Sequence, residues 1–151
     1  MINEVISQKI AEAMKAKDEI RLSTLRLLAS ALNYEFITKQ HKLSEDEELV
    51  VVRREAKKRN EAIEIYSKYK NEKTEKLKKR EQEELAILKG FLPKDVSESE
   101  LIDLVEEAIR ETAAADIKDM GKAMAYVMAK VKGRADGAKA AEMVREKLKE
   151  R

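Results

Sequence analysis

The chain has 151 residues, 43% hydrophobic and 41% charged, with 32 Lys and Arg against 30 Asp and Glu for a net charge of +2. Four Gly and one Pro are too few for an all-β fold built on tight turns, and so dense a charge leaves little room for fully buried strands. No Cys and one His exclude disulfides, thiol nucleophiles and Cys- or His-rich metal sites, and the balanced charge means that any basic footprint must be a local patch. The length suits one domain or two small lobes. The opening Met1-Ile2-Asn3-Glu4 carries no basic n-region, and no window approaches the ~18 apolar residues of a membrane span. The expectation is a soluble cytoplasmic protein with no membrane partner.

The apolar periodicity is helical almost throughout. A first helix is predicted over 2–16, with Ile2, Val5, Ile6, Ile10, Ala13 and Met14 at helical spacing. A second covers about 18–39 behind Asp18 as N-cap, and Leu22, Leu25, Leu28, Ala29, Leu32 and Phe36 form its apolar face. Ser44 followed by Glu47 reads as a capping box, with Glu45, Asp46, Glu47 and Glu48 at the positive end of the helix dipole. Leu49, Val52, Ala56, Ile63 and Tyr66 continue that stripe, which Arg59 interrupts. After a break near Asn71, a fourth helix over 73–89 carries Leu77, Leu85, Ile87 and Leu88, and the two long helices read as an antiparallel hairpin.

Gly90-Phe91-Leu92-Pro93 is the strongest punctuation in the chain, with Gly90 placed to close a helix and Pro93 disfavouring helix at Leu92. The predicted fold is all-α, with an N-terminal helical subdomain over 1–92 and a C-terminal three-helix subdomain over 93–151. In the latter, Ser97 and Glu100 form a second capping box ahead of Leu101, Leu104, Val105, Ala108 and Ile109. Asp116 or Asp119 caps a helix bearing Met120, Ala123, Met124, Val127, Met128 and Val131. Gly133 ends it, and Asp136 starts a last helix with Ala140, Ala141, Val144 and Leu148. The Met stripe reads as gap-filling core, or as an adaptable docking face for a partner helix.

No constellation for catalysis stands out, and no cofactor or metal is expected. Neither GxxxxGK[ST] nor GxGxxG occurs, and His41 sits in a polar connector. Charge placement says more. Residues 95–116 hold eight acids and one base, whereas 118–139 hold six bases and two acids. Lys122, Lys130, Lys132, Arg134 and Lys139 belong to the basic segment. Its turn contains two glycines, and the following helix N-terminus offers N–H groups for a phosphate. Two readings stand. The cations hold a nucleic-acid backbone by charge, or Lys130 and Lys132 complement a helix end and Arg134 pairs with an acid of 95–116. In the first subdomain, 53–59 and 73–80 each net +4, but glutamates within helical reach favour a solvated, internally paired face. Tyr34, Tyr66 and Tyr69 form no stacking platform.

The stretch Ala16-Lys17-Asp18-Glu19-Ile20-Arg21-Leu22-Ser23-Thr24-Leu25-Arg26-Leu27-Leu28, with Ser30-Ala31-Leu32-Asn33 and Glu35, resembles the N-terminal signature of the YqeY family. Asp119-Met120-Gly121-Lys122-Ala123-Met124 and Val131-Lys132-Gly133-Arg134-Ala135-Asp136-Gly137 resemble its C-terminal signature, and Phe91-Leu92-Pro93 also matches. The likeness runs from about residue 2 to 149. One departure is Ala129, where the family often has Pro. The resemblance implies two all-α subdomains and kinship with the tail domain of the B subunit of the aspartyl/glutamyl-tRNA amidotransferase. From this come the label of carbon–nitrogen ligase with glutamine as amido-N-donor, tRNA as partner, and an association with the amidotransferase or an aminoacyl-tRNA synthetase. Carried over residue by residue, it favours Lys122, Lys130, Lys132, Arg134 and Lys139 as nucleic-acid-binding. Lys17, Arg21 and Arg26 are expected to tie helices together. The expected function is a tRNA-binding accessory module that grips the RNA backbone without catalysing and without binding DNA. The alternative is a helical protein-interaction adaptor that binds no nucleic acid.

Overall fold

The computed structural model describes residues 1–150, which form helices α1 (Ile2–Lys15), α2 (Glu19–Lys39), α3 (Glu45–Ser67), α4 (Glu72–Lys89), α5 (Glu98–Glu111), α6 (Met120–Val131) and α7 (Gly137–Lys149). A single 3₁₀ turn, Ile117–Asp119, precedes α6, and no strand occurs among the described residues. The chain divides into two compact units, Met1–Leu92 and the residues from Pro93 onward.

In the first unit α1 and α2 pair, α3 and α4 form a long hairpin, and α2 packs on both α3 and α4. The core gathers Ile2, Ile6, Leu28, Leu32, Leu43, Val51, Val52, Ala56, Leu85 and Leu88. The expected caps are made, Asp18 accepting the Arg21 N–H and Ser44 and Glu47 closing a reciprocal box, and Asn71, where only a break was expected, caps α4 by accepting the Thr74 N–H. That backbone bond to Ser44 holds the Glu47 carboxyl below its ordinary value of 4.5. Two α2 and α4 residues depart from the expected apolar faces. Phe36 and Leu77 are exposed: each continues its helix's buried stripe, Phe36 four residues past Leu32 and Leu77 eight before Leu85, but lies beyond the stretch that the core covers.

Polar groups shape this unit as much as apolar ones. The first-turn amides of α1 have no cap from their own segment. The fully buried Glu48 supplies it, accepting the Ile2 N–H at 2.8 Å and the Asn3 N–H at 3.2 Å. Arg59, the charged break in the α3 stripe, lies in the α3–α4 seam. Its guanidinium sits 3.2 Å from Glu55 and 3.3 Å from Glu84, both buried residues, and 4.0 Å from Glu81. Burial, with the neighbouring Glu84 charge, raises the Glu81 carboxyl. Much of the basic character of 53–59 and 73–80 is therefore internal: Arg54 pairs with Glu35, Lys58 with Glu55, Lys76 with Glu72 and Arg80 with Glu84.

In the second unit α5, α6 and α7 pack on one another around Leu101, Val105, Ala108, Ile109, Ala114, Ala123, Val127, Val131, Ala140, Val144 and Leu148. Met120, Met124, Met128 and Met143 lie half-buried against this core. The Ser97–Glu100 capping box starts α5.

Glycine is scarce, and four of the helices end without it. Lys17, Gln40, Ala113 and Lys132 all take left-handed φ between 48° and 59° after α1, α2, α5 and α6. Gly90, expected to close α4, does so with a right-handed φ of −61°. The reversal needs no left-handed residue there, because the Gly90 N–H finds the carbonyls of Ala86 and Ile87 in a continuing turn.

Candidate functional site

The five cations singled out in the sequence lie on α6, on the α6–α7 turn and on the first turn of α7. Asp116 starts the local structure, its carboxylate accepting the Lys118 N–H to open the 3₁₀ turn. Asp119, the other candidate cap, does not bond the α6 amides. Its Oδ2 accepts the Ala115 N–H at 2.9 Å, which lowers its pKa. Its Oδ1 lies 3.4 Å from Lys122 Nζ, so the Lys122 charge is already partnered.

Four residues on, Tyr126 donates its hydroxyl to Glu107 at 2.9 Å, a bond that raises the phenol pKa. A further four on, Lys130 Nζ stands 5.6 Å from the Tyr126 ring centroid, within cation–π range. Lys122, Tyr126 and Lys130 therefore lie along one side of α6, since residues four apart are neighbours on a helix surface. Tyr126 was missed in the sequence, although the four-residue spacing to a Lys on either side was the readable signal.

Helix α6 stops when Lys132 turns left-handed (φ 48°) and Gly133 follows at φ 75°. Two consecutive left-handed residues reverse the chain and suit Gly at the second position. Lys132 is exposed at this corner. Arg134 is half-buried, and its Nε donates to the Lys94 carbonyl at 2.9 Å while its own carbonyl accepts the Val96 N–H at 2.7 Å. Arg134 thus straps the segment before α5 to the turn. Its bonded partner is a carbonyl rather than the carboxylate the sequence suggested, although its charge helps hold Glu100 below 4.5, behind the larger effect of the Ser97 backbone bond.

The start of α7 corrects one expectation. The N-terminus is not an open phosphate cradle, because Asp136 caps it, with its carboxylate accepting the Ala138 N–H at 3.1 Å. A carboxylate there repels a second anion. The cationic side chains remain: Lys130 and Lys139 are exposed and have no carboxylate within ion-pair distance among the described residues. The acidic segment supplies α5, where Glu107 bonds Tyr126 and Glu106 pairs with Lys147 at 3.3 Å.

Fold and site together define an all-helical protein with a cationic line on its second unit. A family model described as Yqey-like protein matches residues 3–148, and the chain belongs to the YqeY family. No curated protein matches the chain. No helix is long and apolar enough to cross a membrane among the described residues.

Proposed function

We propose that the chain is a tRNA-binding accessory module that grips the RNA backbone by charge, beside a tRNA-dependent amidotransferase or an aminoacyl-tRNA synthetase. The observation that carries this reading is the line Lys122–Tyr126–Lys130 on α6, continued by Lys132 and Arg134 at the turn. Lys130 and Lys139 are the strongest members, being exposed and unneutralised. Lys122 contributes less because Asp119 already holds it, and Arg134 acts first as a strap. Point charges of this kind bind phosphates without reading bases. The chemistry of amide transfer then belongs to the enzyme that the module serves.

The geometry dictates the variant for a test. Removing Arg134 would also loosen the Lys94 segment, so its loss confuses binding with folding. K130A/K132N avoids this, because Lys130 is exposed and Asn tolerates the left-handed conformation at 132. This pair should weaken binding to all tRNAs alike and lower the magnitude of the log–log salt slope by about 1 per lost contact. K122A should have the smaller effect. Unchanged tRNA affinity in K130A/K132N would refute the site. Salt-insensitive binding to a protein, with none to tRNA, would favour the adaptor reading.

A further inference from the structure

The α3–α4 hairpin is longer than the core it helps to enclose. The buried residues of α3 end at Ala56 and those of α4 begin at Glu84. No residue from 57 to 83 is buried. From Ala56 to the end of α3 at Ser67 the helical rise amounts to about 16 Å, so a two-helix arm of that length runs out past the core.

Charge is segregated along this arm. At its root, Arg59 is met by Glu55 and Glu84. Its outer part, 65–80, holds seven bases against two acids, in a chain whose net charge is only +2. Two of the seven are partnered: Lys76 lies 3.9 Å from Glu72 and Arg80 lies 3.6 Å from Glu84. Among the described residues, no carboxylate lies within ion-pair distance of Lys68, Lys70, Lys73, Lys78 or Lys79. The dipole at the carboxyl end of α3 suits Lys68 and Lys70. It does not account for the other three. Lys73 stands in the first turn of α4, where the positive end of the dipole disfavours a cation, and Lys78 and Lys79 follow in the second turn. An anion from outside the chain would supply what the fold does not.

The chemistry of the tip selects that anion. From Ser67 to Lys76 the only large apolar side chain is Tyr69, so the tip has no apolar face to bury among lipid tails. One tyrosine is too little to stack the successive bases of a single strand. Point charges on a narrow projection suit the phosphates of a folded RNA stem. We propose, on the reading of the chain as an RNA-binding module, that this arm is a second contact for the RNA backbone, carried by the first unit and built independently of the cationic line on α6.

Titration of the full chain with bulk tRNA at several salt concentrations tests this. K73Q/K79Q is set beside the parent, K130A/K132N, and a control, K15Q/K89Q, that removes two exposed lysines of the same unit outside 65–80. K73Q/K79Q should weaken binding and lower the magnitude of the log–log salt slope by about 1 for each lost contact, whereas the control should stay close to the parent. Its melting temperature should equal or exceed the parent's, because Lys73 opposes the helix dipole. Parent affinity and slope in K73Q/K79Q would overturn the arm alone and leave the α6 line in place. An equal loss in K15Q/K89Q would also overturn it, by reducing the effect to net charge, as would weaker binding joined to a lower melting temperature. Failure of the parent to bind tRNA at low salt would sink the proposed function and the arm together. Binding to phosphatidylcholine–phosphatidylserine vesicles that K73Q/K79Q abolishes, with tRNA binding unchanged, would give the arm to a membrane surface instead.

Discussion

Ala113 and Glu48 show how single residues decide helix ends here. Ala113 closes α5 at a left-handed φ of 53°, with the Ala114 N–H reaching back to the Ile109 carbonyl at 3.1 Å. An L-residue pays ~1 kcal/mol or more in that conformation, whereas Gly adopts it freely and loses part of the gain through its freer unfolded chain. A113G should therefore stabilise the protein by ~0.5–1 kcal/mol, read as a rise in melting temperature of ~1–4 °C. Glu48 acts in the opposite sense. Its loss in E48A removes the acceptor for both the Ile2 and Asn3 amides, and a lost cap costs ~1–2 kcal/mol. Hydrogen exchange should locate that loss in α1. Glu48 was legible as a first-turn acid of α3, but its true partner lies 46 residues away in sequence. Local pattern alone holds no signal for such a contact.

At the scale of elements, the α3–α4 hairpin depends on Arg59. Its charge is offset by Glu55 and Glu84, whose side chains are each only 10% exposed. Breaking a buried pair by removing one partner leaves an uncompensated charge, at a cost of ~3–5 kcal/mol. R59A should be destabilised by about that much at neutral pH, measured by denaturant unfolding against the parent. Removing the stranded charges as well, in R59A/E55Q/E84Q, should recover part of that loss. A triple variant no more stable than R59A would mean that Arg59 contributes through packing instead. The helices, their caps and the all-α class were readable because capping boxes and apolar spacing are local. The interruption at Arg59 was readable too, but not its meaning, since Glu84 enters only when α4 folds back along α3. Phe36 failed for a related reason: it continues the Leu28 and Leu32 stripe, and periodicity does not say how far along a helix the rest of the chain covers that stripe.

For the whole molecule, the surface that the proposed function uses is the cationic line on α6 and its turn in the second unit. The candidate cations were legible as a charge excess over 118–139. What they do to one another was not. Asp119 neutralises Lys122, Asp136 occupies the α7 N-terminus, and Arg134 is drawn to a backbone carbonyl. These contacts narrow the charge available for a phosphate backbone to the α6–α7 corner and the first turn of α7, with Lys130 and Lys139 as its most available members. Backbone gripping then carries a signature that base reading or apolar docking lacks: affinity falls with salt by a log–log slope of about −0.7 to −0.9 per phosphate contacted.

The most direct measurement is a titration of the purified chain against bulk tRNA and a matched duplex DNA at low and physiological salt. The account predicts binding that prefers tRNA, weakens steeply as salt rises, and discriminates little among tRNAs. Absence of tRNA binding at low salt would contradict it, and would leave Lys130 and Lys132 as helix-end charges.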